Sequence, residues 1–264
     1  AGIVKGDASA ALKPIYTSFT SDGSKQGGPL YSCDFGGSSS GSFEARPVSV
    51  TLSEVLAVIE KFKDADEPPP EAINTIVNYG VDLLRAFRGG AGTVGAIDCN
   101  VPGEMPVTIK MGGASTGDFE TGVYPEIKVS GIAVDAGPLG NGSLGEFVVK
   151  HIDLNPTLNA LEAAAGELSE EWFDKNWRLL IPSWDGLSFA NFALDAVNPE
   201  MGNQRVQAKV GSFDLSLGNY VIGIPTDVYA SAVGIEIPLP MDTTDPQLQT
   251  LLAAGITGVN MGFD

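Results

Sequence analysis

Apolar and polar positions in this chain alternate in short runs more often than they cycle with a helical period. Val129-Ser130-Gly131-Ile132-Ala133-Val134-Asp135 and Phe189-Ala190-Asn191-Phe192-Ala193-Leu194-Asp195 set apolar residues among small or polar ones, the pattern of a strand with one buried face. Looser echoes are Ala232-Val233-Gly234-Ile235-Glu236-Ile237 and Ile256-Thr257-Gly258-Val259-Asn260-Met261. A second phrase, V-x-x-[IF]-D-[LC]-[NS], occurs as Val94 to Asn100, Val149 to Asn155 and Val210 to Ser216. Turn-formers separate the two phrases: Gly137-Pro138-Leu139-Gly140-Asn141-Gly142 in one unit, Asn198-Pro199-Glu200-Met201-Gly202-Asn203 in the other. Each unit reads as a β-hairpin with a long turn, and the sequence predicts an internal repeat of such hairpins. Residues 129–135 are expected to pair antiparallel with the strand around 147–154, and 189–195 with that around 206–215. Ile132 then matches Phe192, and Ile152 matches Phe213, on one buried face. Chance similarity is the competing explanation, because strand vocabulary is small.

Helical spacing lies between the strand runs. Leu52, Val55, Leu56, Ile59 and Phe62 share one helical face, with Ser49 or Thr51 as cap. Ile73, Ile76, Val77, Leu83, Leu84 and Phe87 mark a second helix, opened by Pro68-Pro69-Pro70 and closed by Gly89-Gly90. A third runs through Leu158, Leu161 and Leu168. Ser169 caps a short piece carrying Trp172, Phe173 and Trp177, and a fourth helix spans Pro246 to Ala254. Hairpins interrupted by helices predict an α+β fold: an extended, curved antiparallel sheet of repeated hairpins with helices packed on one face. Residues 1–92 form an N-terminal segment with two helices, and 93–264 a β-rich region that is one continuous unit.

Composition narrows the partners. Of 264 residues, 43% are hydrophobic and 18% charged, which predicts a globular chain with a substantial core. Fifteen Lys and Arg against 33 Asp and Glu give a net charge of −18. That balance excludes a nucleic-acid partner and docking on anionic lipid through basic clusters. Its plain reading is solubility. No apolar run reaches the ~20 residues of a membrane-spanning helix. A start at Ala1 without Met, and an end that reads as mid-strand, predict a gene product longer at both ends.

Chemistry is mostly missing. Cys33 and Cys99 both sit in strand-like contexts with no third ligand, so zinc is not expected. They are either a disulfide or two small buried thiols; an oxidising compartment favours the bond. The one histidine, His151, has no nucleophile motif to serve. Asp98, Asp153 and Asp214 occupy equivalent strand positions, which favours solvent-facing or turn-bonding roles over an acid/base pair. Asp64-Ala65-Asp66-Glu67 and Asp242-Thr243-Thr244-Asp245 lack the ligand spacing of a calcium loop. Gly36 to Ser42 reads as a flexible loop and Gly112-Gly113 as a connection. Neither cradles a phosphate or a dinucleotide. Asn141-Gly142-Ser143 has the form of a glycosylation sequon. Trp172, Trp177 and Trp184 read as a seal between elements rather than a stacking site. No catalytic residue, metal or cofactor is expected.

The phrase pairs, with Gly211 to Leu217, Gly223-Ile224-Pro225-Thr226 and Ile235-Glu236-Ile237-Pro238-Leu239-Pro240, resemble bacterial envelope proteins of the AsmA-like style. Such proteins join an N-terminal membrane anchor to a β-rich periplasmic region. The likeness covers Val94 to Asp264, rests on strand phrases, and carries over no functional residue. It implies a periplasmic or otherwise extracytoplasmic protein, anchored to the inner membrane by a segment absent from this chain, with envelope protein partners. Two roles follow. One is a non-enzymatic module that binds or carries a lipid or other elongated apolar molecule, lined by Val129, Ile132, Phe147, Phe192 and Phe213. The other is a structural or interaction module whose core those residues simply fill.

Overall fold

The computed structural model describes residues 4–65, 68–198, 204–239 and 246–263. Its main feature is a large open antiparallel sheet of fourteen strand segments. The segments follow ten paths: β1 (Phe19–Ser21, resuming at Ser24–Gly28), β2 (Tyr31–Phe35, resuming at Ser38–Ser40), β3 (Gly92–Val94, resuming at Ile97–Val101), β4 (Val107–Met111, resuming at Gly113–Thr116), β5 (Ile127–Asp135), β6 (Gly140–Val149), β7 (Gly186–Asn198), β8 (Gln204–Val221), β9 (Ile224–Pro238) and β10 (Gly258–Phe263). Each path pairs with the one before and after it in the chain. The fold is α+β, built as an up-and-down meander.

The broken paths are single strands crossing a common fault. Cys33 faces Cys99 before the break in β2 and β3, and Ser38 faces Val94 after it, equal steps along both strands. The same holds between β4 and β5, where Ile109 faces Val134 and Ala114 faces Val129. At each break stands a glycine: Gly23, Gly36-Gly37, Gly95 and Gly112-Gly113. The fault continues through the unbroken strands at Gly131, Gly145, Asn191, Gly211 and Gly234. Ser130 and Ile132 keep Glu146 and Leu144 as partners on either side of it, and the register is equally unshifted across β6 to β9.

Backbone conformation explains the fault. Gly131, Asn191 and Gly234 have φ of 63°, 55° and 68°, the left-handed region open to glycine and, among side chains, best tolerated by asparagine. One left-handed residue in an extended strand resets the alternation, so that residues three apart share a face, as in a β-bulge. A lone bulge would slip the register. Here β1 to β9 step in the same row, so pairing survives across them. Only between β9 and β10 does the register shift, at Ala232–Ile235.

Helices fill the long connections. α1 (Leu52–Phe62) carries a capping box in which Thr51 accepts from the Glu54 N–H and the Glu54 carboxylate accepts from the Thr51 N–H. α2 (Pro70–Leu84) begins with Pro70 in its first turn, where a missing N–H costs nothing. α3 (Asn155–Ala163) is tied to α2 through Arg85, which donates to Asn159 at 2.6 Å and pairs with Glu162 at 3.1 Å. α4 (Glu170–Asn176) is capped by Ser169, and α5 (Pro246–Ala253) joins β9 to β10. The chain leaves the sheet toward α1 and α2 after Ser40, and toward α3 and α4 after Val149. Both excursions return at the same end of the sheet. Two three-stranded sheets flank that end: Lys13–Tyr16 with Phe43–Ala45 and Phe87–Gly89, and Val123–Tyr124 with Ile152–Asp153 and Ser183–Trp184. The most buried apolar residues gather around these excursions: Val48, Val55, Ala72, Val81, Ala86, Leu158, Ala164 and Leu168.

Several expectations change. The partner of 129–135 is Gly140–Val149, because the Gly137–Leu139 turn is short and Asn141-Gly142-Ser143 lies inside a strand paired on both sides. The stretch Val149 to Asn155 is no copy of Val210 to Ser216. Its strand ends at Val149, and Ile152 pairs with Tyr124 and Trp184 in a separate sheet, so it does not match Phe213. Ser38–Ser40 is a strand, not a flexible loop, held by β1 and β3. Phe87 belongs to a strand, and Leu168 follows α3 rather than lying in it. The pairing of 189–195 with 206–215 is as expected. The Asn198–Asn203 turn from 199 onward, the Asp242–Asp245 segment, and residues 66 and 67 lie outside the described residues.

Cys33 and Cys99 form a disulfide, their Cα atoms 4.1 Å apart across a directly opposed pair. Thiol titration of the unfolded, unreduced protein should find no free thiol. Replacing both cysteines by serine should cost about 4 kcal/mol by loop-closure entropy. At the fault, Asn191→Val should lower stability by about 1–2 kcal/mol, read as a lower urea midpoint with unchanged slope, while Asn191→Gly is tolerated.

Candidate functional site

The alternation reset at the fault gives β5 to β10 one apolar face. On one side of the fault Ile132, Leu144, Phe192, Val210, Ile235 and Met261 stand opposite one another across six strands. On the other side the row is Val129, Phe147, Phe189, Phe213, Ala232 and Phe263. Directly opposed residues share a face, and Phe189 touches Phe192 edge-on with ring centroids 6.4 Å apart. Both rows therefore lie on the same side, and Phe189 stacks on Phe213 at 5.3 Å. Val129, Ile132, Phe147, Phe192 and Phe213 are brought together in these two rows. They are half-buried rather than fully buried.

The face continues toward β1. Val94, Ala114 and Val129 form one row, and Thr116 opposes Ile127 in the next. Phe19, Val94, Ala114, Thr116 and Ile127 line a trough of about 390 Å³. The disulfide lies on this face too, in the row of Ile109 and Val134. Near the free edge the face is open: Met261 is 49% and Phe263 52% exposed. The accessible surface is 15914 Å², against about 11,000 Å² for a compact chain of this mass. A single sheet layer with both faces accessible accounts for the excess.

The reverse face is polar. Lys25, Asp34, Asp98 and Lys110 follow one another across four strands, with Lys25–Asp34 at 2.6 Å and Lys110–Asp98 at 3.5 Å. Lys128 pairs with Glu146, and Asp195 accepts from Arg205 and Gln207. Lys150 donates to Asp214 at 2.7 Å and to Ser216 at 2.6 Å. The bonds from Lys150 and Ser216 hold the Asp214 carboxyl below its ordinary range, and those from Arg205 and Gln207 do so for Asp195.

The residues considered for chemistry are dispersed. His151 Nδ1 lies 3.5 Å from Asp185 in a half-exposed position. Asp153 accepts from the Asn155 N–H, a turn bond at the start of α3. Trp172 packs edge-on against Phe173, Trp177 is 52% exposed, and the Trp184 backbone exchanges hydrogen bonds with the Tyr220 hydroxyl. The three tryptophans form no common platform. Among the described residues there is no group of three His, Cys, Asp or Glu able to hold a metal ion, and no helix long and apolar enough to cross a membrane.

Leu144, Phe189, Val210 and Ile235 complete the face and were not singled out by alternation alone. Their signal is the glycine: Leu144-Gly145-Glu146-Phe147 has the form of Val210-Gly211-Ser212-Phe213. No protein-family model matches the chain, and no curated protein and no solved structure matches it.

The polar face should weaken the fold in acid. A carboxyl with a depressed folded-state pKa stabilises above its unfolded value and loses that contribution as pH falls. Stability should thus be full above the ordinary aspartate value of 3.8 and decline below it. Asp214→Asn should flatten part of that decline in acid-unfolding curves.

Proposed function

We propose that the protein binds an acyl chain or another elongated apolar molecule on the apolar face of its sheet, without turning it over. The observation that carries this reading is the continuous, half-exposed apolar face opposite a face of ion pairs. Contiguous exposed apolar surface on this scale marks an interaction site. Binding there draws on burial, at about 25 cal/mol per Å² of apolar area, and needs no charged anchor within the sheet. A flat, repetitive lining of Phe, Val, Ile and Leu suits a flexible hydrocarbon better than a shaped polar substrate.

The location we propose is extracytoplasmic, in the bacterial envelope. The disulfide supports it, since such bonds persist in oxidising compartments. So does the likeness of the strand phrases to AsmA-like envelope proteins, which carries with it the proposal of a membrane anchor and envelope protein partners. The outer strands β1 and β10, exposed along their length, favour the second reading, an interaction module whose edges accept another strand.

Displacement of a fluorescent fatty acid from delipidated protein tests the first reading. Saturable binding is expected, weakened roughly ten- to a hundredfold in Phe192→Asp and Phe213→Asp variants that remain folded. Absence of saturable binding in the unaltered protein would leave the interaction module as the account.

A further inference from the structure

Apart from the sheet face, one half-open cavity is built like an amphiphile site. It holds about 450 Å³ between α2 and the small sheet of Lys13–Tyr16, Phe43–Ala45 and Phe87–Gly89, within the range of small-molecule sites. Ile15, Phe43, Leu83, Ala86 and Phe87 supply an apolar wall. Among the described residues, its ionisable lining residues are Lys13 and Arg46. In a chain of net charge −18, a cavity with two cations and, among the described residues, no carboxylate on its wall runs against the composition.

The two cations differ. The Arg46 side chain is 12% exposed and paired with Asp82 at 2.6 Å. Among the described residues, both of its hydrogen bonds, to Asp82 and to the Pro47 carbonyl, leave from Nη1, so the Nε and Nη2 edge is available to an oxyanion. Asp82 is also held by the Ser49 N–H and hydroxyl, at 2.5 and 2.8 Å. These bonds and Arg46 outweigh the burial that would raise its pKa, so Asp82 stays ionised and fixes Arg46 in place. Lys13 is exposed and forms no ion pair among the described residues. Among the described residues, Arg46 and Asp82 cancel, and Lys13 leaves the site with one net positive charge.

We propose that this cavity binds a long-chain monocarboxylate, its tail between α2 and the small sheet and its carboxylate met by Lys13 and the open edge of Arg46. The site lies in the N-terminal part of the chain and does not depend on binding at the large sheet. An aromatic path nevertheless joins them. Phe87 packs on Phe43 with centroids 6.1 Å apart, Phe43 on Tyr16 at 5.7 Å, and Tyr16 on Phe19 at 6.4 Å, and Phe19 lines the trough of the main face.

The test is competition by oleate and oleylamine against a fluorescent stearate analogue, on the whole chain and on Lys13→Glu, Ile15→Trp and Phe192→Asp. Ile15 is 55% exposed, so a tryptophan there narrows the mouth without entering the core. Oleate should displace the probe better than oleylamine in the unaltered chain. Lys13→Glu should weaken oleate by about tenfold and reverse the preference, and Ile15→Trp should remove this class of site. Phe192→Asp should leave it in place. Equal binding of oleate by the unaltered, Lys13→Glu and Ile15→Trp proteins overturns the proposal. If Phe192→Asp alone loses binding, the sheet reading stands and the cavity reading falls.

Discussion

The structure depends on one backbone constraint: the strands from β1 to β9 take their irregular step in the same row, and only the edge strand β10 does not. Gly131, Asn191 and Gly234 do so in the left-handed region, and glycines stand at the step in the neighbouring strands. Because the step is shared, cross-strand hydrogen bonding resumes beyond it with the register intact. Because the step resets alternation, Val129 and Ile132, or Phe189 and Phe192, face the same way although three residues apart. Without it the apolar residues of the two sheet halves would lie on opposite sides, and neither face would be apolar throughout.

From that constraint the energetics divide between two regions. The excursions that carry α1 to α4 hold the most buried side chains, among them Val48 and Leu168. The sheet instead gains from ladder hydrogen bonds, stacked rings such as Phe189 on Phe213, and ion pairs on its polar face. Exposed pairs of that kind contribute little individually, so much of the role of Lys25, Asp34, Asp98 and Lys110 is to keep one face wet. The disulfide joins β2 to β3, where the sheet is made of shorter strand segments.

Much of this was legible in the sequence. The helices followed from period and caps, Thr51 and Ser169 in particular, and the α+β class followed from hairpins interrupted by helices. The five proposed lining residues fall on one face. What was not legible came from the fault. Val129-Ser130-Gly131-Ile132 reads as plain alternation only if Gly131 is counted as an ordinary strand residue; its positive φ is a tertiary choice, made because Gly112 and Gly145 occupy the same row. Val149 to Asn155 matched the phrase by letters, yet Lys150 ends the strand and Ile152 joins another sheet. Asn141-Gly142-Ser143 carries turn chemistry but is paired on both sides, and pairing overrides local propensity. The Lys13–Arg46 cavity had no sequence signal at all, because its wall is assembled from segments far apart in the chain.

The central claim is that the fault gives the sheet one apolar face and that a hydrocarbon chain occupies it. Photocrosslinking from adjacent positions of one strand tests this most directly, with a benzophenone side chain at position 192 or 193 in protein made by a bacterial envelope pathway. The account predicts a lipid-mass adduct at 192 and none at 193, where the side chain points to the polar face. Equal labelling at both positions, or none at 192, would contradict it.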